Sequence, residues 1–168
     1  MSKEKETMTM SKTIHHMTRL LGCMFLLLAL TACSSKSLTI FPTKIKVQIL
    51  ASHEINPDIN NRPSPLVVRI YELKSADTFN NAEFFQLYDE EAATLGGDLI
   101  ARQEFEVSPG EGRELMFKPQ DNTRVFAVLA AFRNIDQAVW RTTAELKLNK
   151  TNTFIVKIDK QSVTIDHK

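Results

Sequence analysis

Leu66-Val67-Val68-Arg69-Ile70-Tyr71-Glu72-Leu73 is the stretch that decides the fold. Its β-branched and aromatic residues favour a strand. Val67, Val68 and Ile70 put apolar side chains on both faces, so both faces need cover, and a central strand is predicted.

Upstream, Ile45, Val47 and Ile49 alternate with Lys44, Lys46 and Gln48, the signature of a half-buried strand. Residues 52–65 between the two are polar and hold Pro57, Pro63 and Pro65, which lack N–H donors and fix φ. An ordered loop is predicted there. Downstream, Asn80 and Glu83 stand in capping-box positions, with Phe79 and Phe84 as a hydrophobic staple. Phe84, Leu87, Tyr88, Ala92 and Leu95 recur at helical spacing, and Gly96-Gly97 stops the repeat. One helix near 80–95 is predicted.

The rest reads as strands and turns. Residues 99–107, Leu115 with Phe117, the apolar run 125–132, and 138–148 around Trp140 follow in order. Phe154, Val156 and Ile158 alternate, and Val163 and Ile165 make a last short strand. Trp140 is expected to pack between sheets. The fold class is all-β with one inserted helix: a two-sheet β-sandwich of about eight strands.

The amino-terminal segment carries an address. Arg19 precedes the apolar run from Leu20 to Leu30, about the length of a secretory h-region and too short to span a bilayer. Leu30-Thr31-Ala32-Cys33 resembles the lipobox of bacterial lipoprotein precursors, which implies cleavage before Cys33 and acylation of that cysteine. Cys23 would be discarded with the leader, so Cys33 would be the sole remaining cysteine, without a disulfide partner. Acylation accounts for a lone exported cysteine; a free thiol does not. Met17 is a second candidate start, since Met17-Thr18-Arg19 already supplies a short charged region.

The expected organisation is residues 1–32 as signal peptide, 33–42 as lipidated cysteine and tether, and 43–168 as the β-sandwich domain. The tether from Cys33 to Thr43 stretches at most about 35 Å. Ser34 after the cysteine favours export to the outer membrane over inner-membrane retention, as expected for this class of lipoprotein. Removing the leader's four basic and two acidic residues from totals of 21 and 20 leaves 17 against 18. A near-neutral chain with no basic block is not expected to bind nucleic acid.

No Gly-x-Ser-x-Gly elbow, phosphate loop or His-Glu-x-x-His helix occurs, and no enzymatic activity, cofactor or small-molecule substrate is expected. Of the histidines, only His53 and His167 follow the leader, neither at ligand spacing, so no metal site is expected. Asp89-Glu90-Glu91 reads as a solvated acidic face, with a docking patch as the alternative.

Asn56-Pro57-Asp58 followed by Arg62-Pro63-Ser64-Pro65 and the strand to Lys74, together with Phe84-Phe85-Gln86-Leu87-Tyr88-Asp89 and Ala92-Ala93-Thr94-Leu95-Gly96, resembles the TssJ family of type VI secretion lipoproteins. The resemblance implies a transthyretin-like sandwich, anchored on the periplasmic face of the outer membrane. It implies binding to the periplasmic C-terminal part of the inner-membrane protein TssM, within the trans-envelope membrane complex. It places the contact on the loop at 52–65. Ile55 and Ile59 would serve as apolar anchors, with Asp58 and Arg62 as polar contacts. Asn56, Pro57, Asn60, Asn61, Pro63 and Ser64 complete the segment. The chain departs from the family at Ile59-Asn60-Asn61, where no glycine precedes Arg62. Two alternatives stay open from the residues themselves. The prolines would merely stiffen a crossover, or the chain would be a periplasmic lipoprotein holding a small ligand or cell-wall glycan.

Overall fold

The computed structural model describes residues 41–168. Eight strands form two four-stranded sheets. In chain order they are β1 Lys44–Ala51, β2 Leu66–Leu73, β3 Leu99–Val107, β4 Gly112–Phe117, β5 Val125–Ala130, β6 Arg141–Glu145, β7 Thr151–Ile158 and β8 Val163–His167. One sheet has the order β4-β1-β7-β8, the other β3-β2-β5-β6. All pairings are antiparallel except β1 with β7, which run parallel over eight residue pairs.

The side-chain period of two explains why β2 is apolar on both faces. Val68 and Ile70 point into the core between the sheets, with Ile45, Val47, Phe126, Phe154 and Val156. Tyr71 and Leu73 point the other way, into a second core with Phe79, Leu87, Leu95, Ala127 and Leu129. That second core lies under the helical insertion. β5, also central, is buried at every residue for the same reason.

The insertion is three short helices rather than the single one expected. They are α1 Asp77–Asn81, α2 Phe84–Asp89 and α3 Glu91–Leu95, and a 3₁₀ turn Gly96–Asp98 closes the segment. The predicted capping pair is displaced by three residues. Asn80 lies inside α1, and Ala82 is extended at ψ 151°. Glu83 is the N-cap of α2, and its N–H donates to the Gln86 side chain at 2.9 Å. A second break at Glu90, φ −124°, changes the helical phase, so Ala92 faces water while Phe84, Leu87 and Leu95 are buried.

Two arginines hold the insertion to the sheet. Arg141 donates to the carbonyls of Phe79 and Ala82 at the end of α1. Arg69 donates to the Tyr88 carbonyl at 2.7 Å and the Leu87 carbonyl at 3.4 Å, at the end of α2. Carbonyls at a helix C-terminus lack intrahelical partners and favour a cation. Trp140 packs against the inter-sheet core, as expected, and also against the second core, where it meets Phe84 edge-on at 5.2 Å. Strand β6 is shorter than the predicted 138–148. Val139 makes only an isolated bridge to Ser162.

Strand β1 runs the length of its sheet. Residues 41–43 lead into one end and the 52–65 loop leaves from the other.

Candidate functional site

The loop from Ser52 to Pro65 is a braced tongue. At its root, the Ser52 N–H donates to the Ile158 carbonyl at 2.8 Å, and the Asn56 N–H donates to the Lys160 carbonyl at 3.0 Å. Asn56 takes a left-handed φ of 47°, a conformation asparagine tolerates better than most residues. Its side-chain amide donates to the Pro65 carbonyl at 2.9 Å and accepts the Arg133 N–H at 2.8 Å. One buried side chain thus ties both ends of the tongue to the β5–β6 connection. Further out, the Ser64 N–H donates to the Ile55 carbonyl at 3.1 Å.

The tip closes on itself. The Asp58 N–H donates to the Arg62 carbonyl and the Asn61 N–H to the Asp58 carbonyl, both at 2.9 Å. This is the bonding of a three-residue hairpin loop whose third residue is left-handed. Asn61 fills that position at φ 59°. After glycine, asparagine is among the residue types best suited to that conformation.

Asp58 organises the tip through its carboxylate. Oδ1 accepts the N–H groups of Asn60 and Arg62 at 2.8 and 2.9 Å, and Oδ2 takes Arg62 Nε at 2.7 Å. The Arg62 backbone N–H, then its guanidinium, hold the Asp58 carboxyl below the usual carboxylate range. The Arg62 side chain is itself 75% exposed, so the ion pair contributes little beyond geometry.

A folded-state carboxyl pKa below its unfolded value stabilises the closed tip above the unfolded pKa, about 4. That contribution is lost as pH falls through the lower, folded value. The protection of the Asn60 and Arg62 amides, relative to an unstructured chain at the same pH, is expected to hold from pH 5 to 7 and to fall only below about pH 4. Protection unchanged down to pH 2 would mean that the carboxylate does not hold the tip.

The ten residues expected to meet a partner are not equivalent. Ile55 is fully buried among the inter-sheet core residues and is not available as an anchor. Its position at the strand exit lets it follow Ile45, Val47 and Ile49 inward. Asn56 is 4% exposed and acts as the brace. Pro57 and Asp58 are half-buried, Ser64 is half-buried beside the root, and Asn60, Asn61, Arg62 and Pro63 are exposed. Ile59 stands at the tip with 97% of its surface in water. Cys33, the expected lipid site, lies outside the described residues.

Residues distant in sequence join the tongue. Arg133, Asn134, Lys160 and Gln161 face Pro57, Asp58, Ile59 and Asn61 across an open groove of about 610 Å³. No local pattern marks them, because they are placed by the β5–β6 and β7–β8 turns. Of the acidic run, Asp89 and Glu90 are exposed as expected, whereas Glu91 is half-buried and paired. It accepts from Tyr71 Oη at 3.1 Å and pairs with Arg102 at 3.0 Å. Burial is the main reason the Tyr71 phenol is pushed up to about 12.

Two facing four-stranded sheets, a helical cover on one of them and a tongue between β1 and β2 define the class, a β-sandwich with a helical insertion. The family described as "Type VI secretion lipoprotein, VasD, EvfM, TssJ, VC_A0113" matches residues 43–161. The chain is similar to the T6SS lipoprotein TssJ1 from Pseudomonas aeruginosa, with 32% identity and a TM-score of 0.74 over 76% of this chain and 97% of that one. A chain in a structure described as a type VI membrane complex is 25% identical, with a TM-score of 0.66 over 74% and 98%. A chain in a structure described as the T6SS protein TssM C-terminal domain (869–1107) from EAEC shares the fold at 22% identity and TM-score 0.61, over 73% and 97%. No curated protein matches the sequence. The chain belongs to the TssJ family of type VI secretion lipoproteins.

Proposed function

We propose that this lipoprotein is the outer-membrane anchor of a type VI trans-envelope complex. Acyl chains on Cys33 hold it at the periplasmic face, and the tongue docks on the periplasmic C-terminal region of a TssM-type inner-membrane protein. The observation that carries the reading is the tongue itself: a hydrogen-bonded, proline-punctuated loop whose one exposed large apolar side chain, Ile59, stands in water. A loop already ordered loses little conformational entropy on docking, so more of the contact energy appears as affinity. Chains of this fold in structures described as a type VI membrane complex and as the TssM C-terminal domain support the choice of partner.

Two or more acyl chains are enough for stable anchoring, at about 0.8 kcal/mol per buried CH₂. Cys33→Ser is therefore expected to leave the outer-membrane fraction and to abolish type VI secretion. Fractionation with a secretion assay tests this, and secretion at normal levels by the variant would remove the anchoring role.

A further inference from the structure

The two ends of the sandwich carry opposite charge. The tongue end comprises 52–65 and the turns at 108–111, 131–140 and 159–162. It holds Arg62, Arg133 and Lys160 against Glu54, Asp58, Glu111, Asp136 and Asp159. The other end comprises 41–44, 74–77, 96–98, 118–124 and 145–150, and it reverses the balance. Lys44, Lys74, Lys118, Arg124, Lys147 and Lys150 are exposed there, against Asp77, Asp98, Asp121 and Glu145. None of those six cations makes an ion pair with another described residue.

The basic end is a built surface. The Asn149 N–H donates to Thr43 Oγ1 at 2.9 Å, the Lys44 N–H to the Lys150 carbonyl at 3.0 Å, and the Leu146 N–H to the Arg124 carbonyl at 2.8 Å. Buried Asn152 holds the Lys147 and Lys150 carbonyls from beneath. Phe41 and Leu148 stand among the lysines, 66% and 44% exposed, and help line a shallow concavity of about 290 Å³.

The tether ends here. Cys33 lies eight residues before Phe41, a reach of at most about 28 Å. Lysines with an aromatic and an aliphatic side chain between them are the composition of a membrane-interface contact. We propose that this basic end rests on the periplasmic leaflet of the outer membrane. The lysines meet anionic phospholipid phosphates, and Phe41 and Leu148 enter the headgroup boundary. The proposal rests on acylation of Cys33 and adds an orientation to it: the tongue is held pointing away from the membrane.

The test uses mature lipoprotein purified from envelopes. It is reconstituted in phosphatidylethanolamine vesicles with about one third phosphatidylglycerol, some headgroups carrying a quencher. A thiol-reactive dye is placed through Gln120→Cys at the basic end or Asn60→Cys at the tongue tip, both exposed positions. Quenching is expected to be several-fold stronger at position 120. It should fall to the level at position 60 when Lys118, Lys147 and Lys150 are all changed to Glu, and fall in part at roughly 0.5 M salt. The neutral Lys→Gln set should give an intermediate value, which separates charge loss from misfolding. Equal quenching at both positions in the protein with its lysines intact overturns the orientation. Stronger quenching at position 120 that ignores the lysines overturns the headgroup contact. Intact mass reports one dye per chain when Cys33 is acylated and two when it is free, so failure of the acylation reading is seen separately.

Discussion

Arg69→Met is expected to lower the stability of the domain by about 3 kcal/mol, from the usual cost of breaking a buried, hydrogen-bonded ion pair. Arg69 is 8% exposed, on the helix-covered face of a central strand. It bonds Glu104 at 2.6 Å, donates to the Tyr88 carbonyl, and lies 4.1 Å over the Tyr88 ring. Methionine keeps much of the volume and none of the donors. The carbonyls at the end of α2 then lose their partner, and Glu104 and Glu91 are left to Arg102. The figure sits at the low end of the usual range because the Glu104 side chain is 43% exposed and water shields part of the loss. Urea unfolding should show a lower midpoint. Amide exchange should show residues 84–95 opening before the strands. A change of less than about 1 kcal/mol would mean that the insertion is held by its apolar contacts alone. Glu104→Gln should cost less, since its carboxylate is the more exposed partner.

Ile59→Asp is expected to weaken binding to the C-terminal region of a TssM-type protein by at least about 30-fold, which is roughly 2 kcal/mol. Burying an isoleucine side chain that starts 97% exposed is worth about 1.5–3 kcal/mol, and placing a carboxylate in the same apolar contact adds a desolvation cost. Because Ile59 touches little of its own domain, the melting temperature should not move. Asn56→Ala gives the contrasting pattern. It removes the brace between Pro65 and Arg133, so stability and affinity should fall together. Titration calorimetry with thermal melts on both variants separates contact from scaffold. Unchanged affinity for Ile59→Asp, and for a chain whose 56–64 segment is replaced by a Gly/Ser linker, would move the interface off the tongue.

The strand-and-turn plan was legible because period two is local: Ile45, Val47 and Ile49 point inward as their alternation requires. β2 was legible as central because nothing else covers an apolar residue on each face. The helix was harder. Its apolar repeat is genuine, but Ala82 and Glu90 break the backbone, and alternative caps three residues apart are equivalent from sequence. The tongue was visible in its prolines, yet its division of labour was not. Ile55 and Ile59 are the same residue type four positions apart, and only the strand exit decides that one goes in and the other out. The charge at Arg69, one of two in a largely apolar strand with Glu72, was the signal for the clamp. Its partners come from α2 and β3, and no local spacing pairs them with it.

Strand β1 joins the tether side to the tongue side as one straight element of eight residues, about 26 Å long. It is flanked on both sides, by six residue pairs with β4 and eight with β7. In the proposed arrangement a pull between membrane and docked partner runs through the covalent backbone of that strand, so the ladders on either side carry little of the load. A strand already extended has little further length to give, which makes the link stiff. Force spectroscopy with handles at positions 41 and 59 should show the sandwich staying folded, with only a short extension as the tongue root opens, whereas unfolding of the sheets at low force would mean that the ladders carry the load.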